Sequence, residues 1–90
     1  MNPPPIVRLR VLVADDKEHR LDEIAAVLGV LGHHVVAKLT DVGEVTLATE
    51  REHPDVAIVG LDQAKEHALQ FISEIVHQAA CPVIVDLHAE

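Results

Sequence analysis

The stretch Arg8-Leu9-Arg10-Val11-Leu12-Val13-Ala14-Asp15-Asp16 starts with polar alternation, becomes continuously apolar and β-branched, and stops abruptly on two carboxylates. A strand covered on both faces needs an unbroken apolar run rather than strict alternation, so residues 8–14 read as a buried first strand. In an open parallel sheet the ligand crevice lies outside the carboxyl ends of the strands. Two adjacent carboxylates at such an end repel each other unless a cation or hydrogen-bond donors compensate them. The candidate site therefore begins where the first strand ends.

Outward from this stretch the period changes. Leu21, Ile24, Ala25, Val27, Leu28 and Leu31 recur at helical spacing with Gly32 just beyond, which predicts an amphipathic helix over 17–31. Residues 35–39 form a second short strand. Asp41, with Glu44 three residues on, reads as an acidic capping pair that opens a second helix running to 52. Pro54 ends that segment, and Val56-Ala57-Ile58-Val59 is a third strand, apolar on both faces. A third helix is predicted over 64–80, with Ala68, Leu69, Ile72, Ile75, Val76 and Ala79 on its inner stripe. Cys81-Pro82 introduces Val83-Ile84-Val85 as the fourth strand, with proline at the start where its missing donor matters least. Four buried strands alternating with three helices give an α/β fold, a doubly wound parallel sheet with helices on both faces.

The chain has 90 residues, enough for one modest core, and 49% of them are apolar, which places it among folded globular chains. Its formal net charge of -8, from fifteen acidic and seven basic residues, repels phosphate backbones and anionic lipid heads. One Phe and no Trp or Tyr leave no stacking platform for single-stranded nucleic acid. Direct nucleic-acid and membrane binding by this segment are both disfavoured. No apolar run approaches the roughly 20 residues that span a bilayer, and Met-Asn-Pro-Pro-Pro lacks the order of a signal peptide. A cytoplasmic protein is expected, with residues 1–7 as a flexible Pro-rich leader and 8–90 as the domain. Cys81, the single cysteine, reads as a small buried hydrophobe.

The residues just past each strand are those to inspect for chemistry: Asp15-Asp16, Thr40-Asp41, Gly60-Leu61-Asp62 and Asp86-Leu87-His88. Asp15 and Asp16 form the kind of oxygen cluster that hard cations such as Mg²⁺ favour; the competing reading is that Asp16 caps the first helix and Asp15 is solvated. The seven histidines show no paired metal-ligand spacing and are read as surface or turn residues, which together make association pH-sensitive between about pH 5 and 7. No phosphate loop exists, since Gly29, Gly32, Gly43 and Gly60 never cluster, and Ser73, the only serine, lies inside a helix.

Leu9-Arg10-Val11-Leu12-Val13-Ala14-Asp15-Asp16-Lys17, a helix ending in Leu31-Gly32-His33-His34-Val35-Val36, then Pro54-Asp55-Val56-Ala57-Ile58-Val59 and Cys81-Pro82-Val83-Ile84-Val85, together resemble the receiver domain of bacterial response regulators, from its first strand through its fourth. The resemblance implies a flavodoxin-like sheet in the order 2-1-3-4, lacking the family's fifth strand and last helices. It implies that Asp15 and Asp16 match the acidic pair that holds Mg²⁺, weakly in this chain. The phosphoacceptor slot at the end of the third strand falls on Gly60, and the Thr or Ser that bonds the phosphoryl group falls on Leu87. The family's charge-neutralising lysine has no counterpart before Glu90.

The expectation is a degenerate receiver with no catalytic residue and no enzymatic activity. It regulates an antitermination RNA-binding or DNA-binding output domain, or a protein partner, with a homodimer as a further possibility. Asp62, two residues past Gly60, completes the acidic pocket expected with Asp15 and Asp16, and supports one alternative, a phosphorylation-competent receiver using Asp62 with Mg²⁺. The other alternative is a flavodoxin-like cofactor-binding protein.

Overall fold

A computed structural model describes residues 7–62, 64 and 66–88. Its elements are β1 (Arg10–Asp15), α1 (Glu18–Val30), β2 (His34–Leu39), a 3₁₀ turn (Val42–Glu44), α2 (Val45–Glu52), β3 (Val56–Asp62), α3 (Ala68–Gln78) and β4 (Val83–His88). The strands form one parallel sheet in the order β2-β1-β3-β4, the order expected from the sequence. Six of the seven residues of the leader expected at 1–7 lie outside the described residues.

Both sheet faces are covered because β1 is apolar on both. Val11 and Val13 pack with Leu21, Ile24 and Leu28 of α1 on one side. Leu12 and Ala14 pack with Val45 and Ala48 of α2 and with Ala68, Ile75 and Phe71 of α3 on the other. Leu12, Val13 and Leu61 are fully buried; each such side chain contributes about 1.5–3 kcal/mol relative to exposure.

Gly32 terminates α1 at φ 87°. Its N–H donates to the Gly29 carbonyl while that of His33 donates to Leu28, the paired closure that a left-handed residue permits at a helix end. Nδ1 of His33 then accepts from the Leu9 N–H at 3.1 Å and ties the turn to the entry of β1.

Four boundaries move by three residues or more from the sequence expectation. β3 runs on past Val59 to Asp62, and β4 past Val85 to His88, because parallel pairing continues through Gly60↔Asp86, Leu61↔Leu87 and Asp62↔His88. The third helix starts at Ala68, four residues later than expected. Asp62 Oδ1 accepts from the Ala64 N–H at 2.9 Å, turning the chain out of the strand, and His67 holds φ 61° before the helix begins. Asp41 accepts from the Gly43 N–H and so caps the 3₁₀ turn, and α2 follows from Val45.

Candidate functional site

Parallel register brings three residues abreast at the carboxyl end of the sheet, Asp15 on β1, Gly60 on β3 and Asp86 on β4. Residues alternate between faces along a strand, so this row lies on the α1 face together with Val11, Val13 and Ile58. Asp62 and His88 form the next row on that face.

Asp15 is fully buried. Its Oδ1 accepts from the Lys17 N–H at 2.8 Å, and its Oδ2 leans over Gly60. A Cβ built on Gly60 would overlap that oxygen and lie 2.8 Å from the Asp15 Cγ. The space a side chain at position 60 would need is thus occupied by a carboxylate from the neighbouring strand.

Arg20, in the first turn of α1, spans the row above Gly60. Its Nη2 donates to Asp86 Oδ2 at 2.7 Å and its Nε stands 3.5 Å from Asp15 Oδ2. Desolvation works against the guanidinium charge, but the hydrogen bond and charge of Asp86, with the charge of Asp15, outweigh it and hold Arg20 above its ordinary pKa. A cation therefore stands beside the buried carboxylate, a group that is costly to bury without a partner.

His88 closes the site from β4. Its Nε2 is 3.4 Å from Asp15 Oδ1 and 3.8 Å from Asp16 Oδ1, and the side chain is only 7% exposed. Asp15, Asp16 and His88 each place one ligand atom within 4.8 Å of the other two.

Of the expected pocket of Asp15, Asp16 and Asp62, the structure groups the first two with His88. Asp62 lies on the right face, but its carboxylate is engaged by the Ala64 N–H, and it does not join the group formed by Asp15, Asp16 and His88. The surface or turn role expected of every histidine fails for His88. Asp16 does not cap α1 either, because the cap residue is Lys17, whose side chain makes no capping hydrogen bond, and Asp15 takes the Lys17 N–H. Leu87, at the expected switch position, pairs with Leu61, is 39% exposed and carries no hydroxyl. His88 had a readable signal: Ile84, Asp86 and His88 alternate as one face of a strand that continues past Val85.

Mg²⁺, which the receiver resemblance implies, can be tested against these donors. An all-oxygen set suits Mg²⁺, but the third donor present is a buried imidazole. The set does not fit that ion.

No family profile and no curated protein matches the sequence. Among solved structures, the chain is similar to a double mutant of the anti-anti-sigma factor PhyR from Bartonella quintana, at 18% identity and TM-score 0.72 over 90% of this chain and 34% of that one. It is similar to the response regulator PhyR from Brucella abortus, at 25% identity and TM-score 0.69 over 88% and 33%. A third similar structure is the Bartonella quintana PhyR complexed with the anti-sigma factor NepR, at 18% identity and TM-score 0.65 over 86% and 32%. The chain spans about a third of the length of these proteins.

Proposed function

From a receiver-like fold whose four strands stand in the order 2-1-3-4, we propose that this chain is a cytoplasmic signalling and protein-interaction domain that works without taking up a phosphoryl group. The observation that carries the reading is the lane over Gly60, which offers no side chain for phosphorylation and is filled by the Asp15 carboxylate. Asp62, the nearest alternative acceptor, is turned toward Ala64. Leu87 supplies no hydroxyl to hold a phosphoryl group, which supports the same reading.

A protein partner is supported by the similar PhyR structure that contains an anti-sigma factor. In this reading the domain controls transcription through that partner or through an attached RNA- or DNA-binding output domain. The contact surface is the outer side of α1, where Val27, Val30 and Leu31 are exposed beside a shallow depression of about 380 Å³ floored by Ile58. Ile84 on the edge strand, 55% exposed, extends it. Contiguous exposed aliphatic surface marks interaction sites, and a second copy of the chain would suit it as a homodimer contact. The excess of acidic side chains argues against nucleic acid as a direct ligand, and among the described residues no helix is long and apolar enough to cross a membrane.

Intact-mass spectrometry after incubation with acetyl phosphate and Mg²⁺ tests this reading. The expected spectrum is unchanged; a one-phosphoryl adduct that disappears in Asp62→Ala would replace the proposal with an active receiver.

A further inference from the structure

We propose that Asp15, Asp16 and His88 form a binding site for a divalent transition ion of the zinc class. The inference goes beyond the interaction-domain reading and does not rest on it, because metal uptake and phosphoryl uptake are read by separate measurements.

His88 is 8% exposed, and neither of its ring nitrogens makes a hydrogen bond among the described residues. Buried polar atoms in folded proteins are nearly always hydrogen-bonded, so an imidazole aimed at two carboxylates without bonding either calls for a shared third party. Asp16 Oδ1 lacks a hydrogen-bond partner as well, while Asp15 Oδ2 has only the Arg20 Nε at 3.5 Å.

The spacing suits an ion. Two donors each about 2.0–2.1 Å from one tetrahedral centre stand about 3.3 Å apart. The His88 Nε2 distances of 3.4 Å and 3.8 Å come within about half an ångström of that. A direct charge-assisted bond would instead sit at about 2.7–2.9 Å and be aligned.

Charge points the same way. Arg20 pairs with Asp15 and Asp86, while Asp16 and His88 group with Asp15 and have no ion pair with Arg20 among the described residues. The nitrogen donor decides the class, since imidazole favours zinc and its neighbours in the first transition row and all-oxygen sets favour Mg²⁺. The Lys17 N–H on Asp15 Oδ1 and Arg20 beside its Oδ2 are the outer contacts that orient a metal-binding carboxylate. Three protein ligands leave a fourth position for water or a donor from a partner.

Titration calorimetry of the full chain with zinc chloride tests the site. The expected result is one Zn²⁺ per chain, unaffected by a large excess of Mg²⁺. His88→Ala is expected to weaken binding at least about 100-fold, since loss of even an outer-shell partner costs roughly 10–100-fold. Asp16→Asn, at a partly exposed position outside the core, is expected to weaken it strongly too, and decides the matter if His88→Ala does not fold. His53→Ala, which removes an exposed imidazole outside the site, leaves binding unchanged. Cobalt loaded into the wild-type chain is expected to give a visible ligand-field band that Asp16→Asn weakens. Failure to take up zinc, uptake indifferent to both His88→Ala and Asp16→Asn, or displacement by Mg²⁺ would overturn the proposal.

Discussion

Replacing Gly60 by alanine puts a methyl group where the Asp15 carboxylate now lies. In an unobstructed strand the change is favourable by about 0.5–1 kcal/mol, because glycine loses more backbone freedom on folding. Here the new Cβ overlaps Asp15 Oδ2 and lies 2.8 Å from Cγ and 3.4 Å from the Asp15 Cβ. Asp15 must swing away, straining or breaking its bond from the Lys17 N–H, and a bond to a charged group is worth roughly 1.5–3 kcal/mol. Crowding a packed site adds about 1–3 kcal/mol where relaxation is incomplete. With partial relief and the strand gain set against these terms, the net loss is about 2 kcal/mol. For a domain of this size that lowers Tm by about 8–16 °C.

Urea and thermal denaturation measure the loss, and the Asp15→Ala background isolates its cause. With the carboxylate gone, Gly60→Ala becomes neutral or stabilising, so the double-mutant cycle yields a coupling of about 2 kcal/mol. A Gly60→Ala protein as stable as the parent, or one equally destabilised in both backgrounds, would refute the packing argument.

Gly32→Ala is expected to cost about 1–2 kcal/mol through backbone strain alone, since φ is +87° and no atom lies within 4 Å of the added Cβ; an unchanged urea midpoint would contradict it. Burial pushes the Cys81 thiol up, only partly offset by its backbone hydrogen bond at Ala57. Less thiolate is then present at neutral pH than for a free cysteine, so iodoacetamide alkylation of the folded chain should be slower than in urea and should rise as pH increases. Leu31→Ser on the exposed end of α1 is expected to weaken self-association in sedimentation velocity without lowering Tm; an unchanged concentration dependence would remove that face as the contact.

The framework was readable because β1, β3 and β4 carry apolar runs that only a sheet covered on both faces can use. The helical stripe of Leu21, Ile24 and Leu28 likewise appears where α1 meets β1. The strand ends were harder. Gly60-Leu61-Asp62 and Asp86-Leu87-His88 place polar residues in alternation, a pattern shared by loops and by half-polar strands, and only the pairing across β3 and β4 decides between them. The late start of α3 depends on the Asp62 to Ala64 turn and on the left-handed backbone at His67, neither of which leaves a helical periodicity to read. At the site the acidic pair was evident in the chain. Arg20, Asp86 and His88 reach it from other elements through tertiary contacts, and the lean of Asp15 over Gly60 depends on a side-chain rotamer that no sequence pattern encodes.

A crystal structure resolving side chains at the carboxyl edge of the sheet tests the account most directly. Density for the Asp15 carboxylate over the Cα of Gly60, bonded by the Lys17 N–H and bridged through Arg20 to Asp86, is the predicted outcome. Asp15 rotated away from Gly60, with the Asp62 carboxylate alongside Asp15 and Asp16 in one open crevice, would contradict it.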